Sequence, residues 1–319
     1  MTAPMYSNPS APEVALSDIH SDVERVDALL RENLNDTRAI LVGHSHYDHA
    51  MDVPFVALNR ARSADVVGNS ALKKILAPID DDLLGKAPPT KVVSLEGQDA
   101  CSQSHRIVGT RFAVRAIHSE HSPQAGPGLV RHLLDVPELT LWRGEPLDPL
   151  AVLPTRAGGW PAGTTLAFLI DVLEPDRDDV AFRIYYQDSP TRTGIGYPPS
   201  CLAGRPVDLA ILTVAGSSEL PRFPTDIVGA VKPRFVMGVH WEDFFVPRQI
   251  PVEGFASPPE SIRLAPGVSL SRFLQRVTAA QPRGGQASTP CPDETTYFVR
   301  GGSSWSIAQT SAGWSDPKR

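Results

Sequence analysis

Between Arg38 and Gly43 the chain reads Arg-Ala-Ile-Leu-Val-Gly, an apolar run of strand length closed by a glycine. Similar β-rich runs bounded by Gly, Pro and Asp recur at 65–68, 91–95, 111–117, 165–172, 180–186, 207–214 and 234–239, with a closing strand at 295–299. Helical signals separate the early runs. Ser21 and Asp22 offer N-cap chemistry ahead of an apolar stripe at Val23, Val26, Leu29 and Leu30, which predicts a helix to about Asn35. Further helices are predicted from Met51 to Arg62, from Ser70 to Leu76 and, amphipathically, from Ser269 to Ala280. Strand and helix alternate early and sheet dominates later, which indicates an α/β layering. The segment 123–163 is rich in Pro, Gly and Leu with little periodicity, and is either a substrate-gating insertion or a surface decoration. The Ser/Gly-rich tail, 302–319, is expected to be loose. No repeat or composition break divides residues 1–301, which are expected to form one domain.

Composition narrows the classes. With 319 residues, 41% of them hydrophobic, the chain can bury a core without disulfides. Its 30 basic against 36 acidic residues leave a net charge of −6, the wrong sign for a chain that lives on nucleic-acid phosphates or anionic lipid. Cys101, Cys201 and Cys291 form no CxxC pair and read as incidental thiols. No apolar run reaches the length of a transmembrane helix. Residues 1–12 lack the basic start and apolar core of a signal peptide, so the expected location is cytoplasmic, with the reservation that a leader could be missing.

Chemistry concentrates in His44-Ser-His46-Tyr-Asp48-His49, where three of the nine histidines fall directly after the first apolar run. In an extended segment residues i and i+2 share a side, so His44 and His46 can grip one metal while Asp48 and His49 turn toward a second position. Imidazole with carboxylate suits Zn²⁺, Mn²⁺ or Fe²⁺ better than Ca²⁺ or Mg²⁺. Three later β-runs also end in ligand-type residues: one leads into His118 and His121, one into Asp188 and one into His240. Taken singly, Asp188 reads as a turn former and His240 as a core histidine.

The motif following a glycine-ended strand resembles the HxHxDH signature of the metallo-β-lactamase-fold hydrolases, and the later His, Asp and His occur in that family's order. The resemblance implies an αβ/βα four-layer sandwich with two divalent metal ions, zinc first, manganese or iron as alternatives. Metal 1 would be held by His44, His46 and His121, metal 2 by Asp48, His49 and His240, with Asp188 bridging and Asp48 also orienting a metal-bridging hydroxide. The third histidine is open between His121, which is preferred because it lies in a Ser-Glu-His-Ser run, and His118, otherwise a neighbour of the ligands. Tyr47, Trp241, Phe244 and Phe245 flank ligands and are candidates for a substrate pocket or for the core.

Within the superfamily, the run from Gly43 to Pro54 and Trp241-Glu-Asp-Phe-Phe245 look most similar to the branch of ascorbate-6-phosphate lactonase-like and N-acyl-phosphatidylethanolamine phospholipase D-like enzymes. That branch implies a small-molecule ester-like substrate, a phosphodiester or lactone. A glyoxalase-like thioesterase and an inactive metal-binding homologue stand as alternatives. The acidic balance weighs against a nuclease. Only about forty residues precede His44, so the chain is expected to lack the family's first N-terminal strands and to leave a sheet edge unpaired.

Overall fold

The structure, a computed structural model, describes residues 1–30, 34–86, 89–122, 146–247, 262–290, 296–302 and 304–310. β1 (Ala39–Leu41), β2 (Asp65–Gly68) and β3 (Val92–Ser94) pair in parallel as one sheet. The second sheet comprises β4 (His105–Arg106), β5 (Phe112–His118), β6 (Leu166–Leu173), β7 (Val180–Gln187), β8 (Leu209–Thr213), β9 (Phe235–Val239) and β10 (Gln286–Ser288). Its order is β10-β9-β8-β7-β6-β5-β4, antiparallel from β4 to β7 and parallel from β7 to β10.

Period-two burial stacks the layers, because successive side chains of a strand face opposite ways. Leu41 and Val67 meet Val114, Ala116, Leu166, Phe168 and Tyr186 between the two sheets. Their neighbours Ile40, Val42 and Val66 face the other way. Onto them pack α1 (Ala11–Leu16), α2 (Val23–Leu29), α3 (Tyr47–Ala50), α4 (Val53–Phe55), α5 (Ser70–Ile75) and α6 (Asp80–Leu84). The outer face of the second sheet, with Ala167, Leu169, Tyr185, Ala210 and Leu212, is covered by α7 (Thr225–Val231) and α8 (Leu270–Ala280). The result is the expected αβ/βα four-layer sandwich.

Local differences are mostly of extent. Asp22 caps α2 by accepting from Arg25 N at 3.0 Å, but the helix ends at Leu29. The Met51–Arg62 stretch divides into α4 and a π-helix, Val56–Arg60. β4 and β10 are too short to show a period. The free side of β1 is not bare: Leu41 N donates to Met1 O and Ala3 N to Leu41 O, both at 2.9 Å. Residues 123–145 of the supposed insertion lie outside the described residues, while its later part is built into the first core, where Trp160 is fully buried.

Two expectations are corrected. The tail after Gly301 is not loose throughout, since β11 (Thr296–Gly301) and β12 (Ser304–Thr310) form a hairpin. Phe298, Trp305 and Ile307 pack it against Phe182, Leu209 and Phe235, which supplies the burial that its polar composition conceals. Cys101 and Cys201 are not incidental thiols but a disulfide with Cα atoms 5.9 Å apart, within the usual range. The bond joins the segment between β3 and β4 to the connection between β7 and β8 across 100 residues, and such bonds persist in oxidising compartments. Cys201→Ser is expected to lower the unfolding free energy by about 2–4 kcal/mol, read by denaturant unfolding without reductant. Equal stability of variant and parent contradicts the bond.

Candidate metal centre

The ligand-type side chains gather at the carboxyl ends of β1, β5, β7 and β9. After β1 the chain bends at Gly43 and His44 and reaches His46, whose φ of −59° and ψ of 154° make it the residue that starts α3. His44 and His46 therefore project from the connection between β1 and α3, whereas Asp48 and His49 project from the first helical turn. Asp188 directly follows β7 and His240 directly follows β9. His240 has a φ of +52°, a conformation that costs a side-chain-bearing residue energy and that clusters at functional sites.

The donor atoms form three overlapping groups, each within 4.8 Å: His44 with His46 and His121, His44 with His49 and Asp188, and Asp48 with His49 and His240. The first and last are the two trios that the resemblance implies, and Asp188 meets one member of each. His118 belongs to none of these groups and is exposed at the end of β5. The rings of His46 and His121 lie 4.8 Å apart, those of His44 and His49 4.1 Å.

Hydrogen bonds aim these rings. Asp188 Oδ1 lies 3.1 Å from His44 Nδ1, and because a carboxylate only accepts, Nδ1 carries the proton and Nε2 keeps its lone pair. His121 Nδ1 likewise donates to Ser122 O at 2.8 Å, leaving Nε2 for the cluster. His44 Nε2 and His49 Nδ1 are buried with no hydrogen-bond partner among the described residues. Buried polar atoms left unpartnered are costly, and an imidazole lone pair facing other lone pairs and carboxylates is the partner a cation needs. The set of five histidines and two aspartates thus fits divalent ions of the zinc, manganese or iron kind.

Electrostatics agree with ligand chemistry. Burial, then the neighbouring His44, pushes His49 down to about 3. Burial, then His46, takes His121 to about 4, and burial with its histidine neighbours holds His44 well below the ordinary value. Burial alone would raise Asp48, but His49 and His240 outweigh it and keep the carboxyl well below its usual range. Asp188 is raised, because burial there exceeds the pull of His49 and the Gly43 N–H. Burial would lower His240, but Asp48 and Glu242 raise it.

The three depressed histidines stay neutral in the fold, while the unfolded chain takes up their protons below the ordinary value of 6.5. Their stabilisation is complete above pH 6.5 and is lost as pH falls toward about 4 for His121 and about 3 for His49. His240 has the opposite sign, since its share is lost as pH rises through its folded value. Thermal unfolding of chelator-treated protein is expected to show a midpoint that falls on acidification through this window. A midpoint that rises below pH 6.5 contradicts three neutral histidines.

Two of the pocket candidates are corrected. Tyr47 is buried in the first core, and Trp241 in the second, where its Nε1 donates to Pro290 O at 3.1 Å. Phe244 and Phe245 are partly exposed, with Phe244 5.2 Å from the His240 ring. Supporting residues escaped the sequence reading. Gly43 N donates to Asp188 Oδ2 at 2.8 Å, and Ser45 Oγ donates to buried Asn69, the cap of α5, at 3.0 Å. Asp52, wholly buried, accepts from Tyr6 N, Ser7 N, Ser7 Oγ and Ser21 Oγ, tying residues 6–21 to the motif. Its position one helical turn after His49 was the available signal.

No protein-family model matches the chain, and no curated protein matches it. Among solved structures it is similar to Igni18, a metallo hydrolase from the hyperthermophilic archaeon Ignicoccus hospitalis, at 13% identity over 86% of this chain and 84% of that one, with a TM-score of 0.42. It is also similar to CmlA, a diiron β-hydroxylase from Streptomyces venezuelae (13% identity, 80% of this chain, 44% of that chain, TM-score 0.38). Yeast PDE1 follows (10% identity, 80% of this chain, 66% of that chain, TM-score 0.39), and metallo-β-lactamases match at a TM-score of 0.27. Likeness this distant does not bear on function, so the chemistry rests on the side chains.

Proposed function

We propose that the chain is a metal-dependent hydrolase of the metallo-β-lactamase superfamily, in the lactonase-like and phospholipase D-like branch, acting on a small ester-like substrate such as a phosphodiester or lactone. The observation that carries this reading is the convergence of His44, His46, His121, Asp48, His49, His240 and Asp188 into overlapping groups. His44, His46 and His121 would hold one ion, Asp48, His49 and His240 the other, with Asp188 between them. Two such ions, when bound, lower the pKa of a water and stabilise negative charge developing on the substrate.

The protein's own residues prepare that chemistry. Asp48, anionic at neutral pH and 3.7 Å from His240 Nε2, can hold a proton-bearing nucleophile in one orientation. The protons on His44 Nδ1 and His121 Nδ1 are committed to Asp188 and Ser122, so neither ring turns its donor toward substrate. Of the candidates outside the ligand set, Phe244, beside His240, would contact a substrate's apolar part, with Phe245 behind it packed against the first core.

The test is metal analysis with a panel of a bis-aryl phosphodiester, a homoserine lactone, a thioester and a cephalosporin. Hydrolysis of the phosphodiester or lactone that disappears with chelator and returns with zinc is expected. Preference for the thioester would move the chain to the glyoxalase-like branch. Metal bound without turnover of any ester would favour a metal-binding homologue.

A further inference from the structure

His121 stands in the loop that follows β5. It lies three residues past the end of β5, and the last bond to a strand neighbour is Ser119 N to Thr165 O at 2.8 Å. Beyond that point, three ties run to the segment that carries Asp188. Gln187 Nε2 donates to Ser119 Oγ at 3.3 Å, and Ser122 N donates to Ser189 Oγ at 2.9 Å. Between them, Arg192 grips the Glu120 carboxylate with both Nε (2.8 Å) and Nη2 (2.6 Å). The segments are close enough that a Cβ on Gly196, at φ +76°, would stand 2.7 Å from Ser119 Oγ.

The Arg192 side chain is 68% exposed, so its pair with Glu120 adds little to global stability. A two-pronged guanidinium grip does something else well: it fixes distance and orientation at once, which a lysine ammonium does not. Glu120 is the chain neighbour of His121, and Arg192 is four residues from Asp188.

We propose that Arg192 is a positioning residue: through its bidentate grip on Glu120 it sets His121 against His44 and His46, tying the geometry of one ligand trio to the segment that presents Asp188. The proposal rests on the reading of these histidines as metal ligands. Arg192 does not touch an ion or substrate; it acts through Glu120.

The experiment uses the full chain loaded with Co²⁺, whose visible absorption reports ligand geometry, and titrates each ion against a chelator. In Arg192→Ala the affinity for one of the two ions is expected to fall about 10- to 100-fold, with a changed cobalt spectrum and an unchanged second ion. The thermal midpoint of the metal-free variant should match the parent's. Arg192→Lys, which keeps the charge but not the fork, should recover only part of the loss. Wild-type affinity and spectrum in Arg192→Ala would overturn the proposal, as would an equal loss of both ions with a lowered metal-free midpoint. His46→Ala separates the two readings: if that variant binds both ions as the parent does, the metal-site reading fails irrespective of Arg192.

Discussion

Alanine at position 43 is expected to weaken metal binding by about 10- to 100-fold, although the substitution adds a single methyl group and removes no ligand. A Cβ there would stand 2.4 Å from both carboxylate oxygens of Asp188 and 2.5 Å from its Cγ, closer than real Cβ contacts come. The carboxylate cannot step aside freely, because Asp188 is buried and already bonded to Gly43 N and His44 Nδ1. The backbone cannot retreat easily either, since Gly43 O accepts from Leu166 N at 2.7 Å, where the first sheet meets the second. Asp188 must therefore swing out of its place between the two trios, leaving the Gly43 N–H unpaired at a cost of about 1–3 kcal/mol. Equilibrium dialysis against zinc, with denaturant unfolding of the metal-free protein, checks both effects. Parental zinc affinity in Gly43→Ala would show that Asp188 is not needed where the structure puts it.

The second large effect is a reversal of sign between the metal-free and metal-loaded states of Asp188→Asn. In the metal-free chain Asp188 is a buried carboxylate that burial drives toward protonation. An isosteric amide removes the desolvation cost, accepts from Gly43 N with its oxygen and donates its NH2 to His44 Nδ1 once that ring takes its other neutral tautomer, so the metal-free variant should be at least as stable as the parent. With zinc present the order inverts. An ion bound at about 100 times its dissociation constant stabilises the fold by about 2.7 kcal/mol, and the variant forfeits most of that. Thermal unfolding of both proteins with chelator and with excess zinc gives the four midpoints needed. A variant less stable than the parent under chelator and equally stabilised by zinc contradicts the assignment.

The central features were legible because they rest on short-range rules. His44 and His46 do meet in one donor group, as the i, i+2 spacing suggested, although the chain bends at Gly43 and His44, and the strand before them is apolar enough to identify. The later candidates, His121, Asp188 and His240, could be found only by their order, because an aspartate or histidine at a strand end has ordinary explanations. The preference for His121 over His118 came from the Ser-Glu-His-Ser run, and the loop that brings His121 beside His44 and His46 is tied by the Ser122–Ser189 and Glu120–Arg192 contacts, which that run does not reveal. The Cys101–Cys201 bond spans 100 residues and was invisible for the same reason. β12 was missed because its alternation rests on only two apolar residues, Trp305 and Ile307, in a Ser/Gly-rich tail, their burial coming from partners in β7, β8 and β9. Tyr47 and Trp241 stand next to ligands in sequence yet face the two cores, since neighbours along a strand or helix point different ways.

The number of ions that the folded chain holds separates a binuclear centre from every other arrangement of these residues. Purified protein, stripped with chelator, reloaded with zinc and dialysed, should retain about two zinc ions per chain by elemental analysis, as a two-metal site requires. His46→Ala should lose one of them and Asp188→Ala should weaken both. Retention of no zinc, or of the same amount in the parent and in both variants, would contradict the binuclear centre.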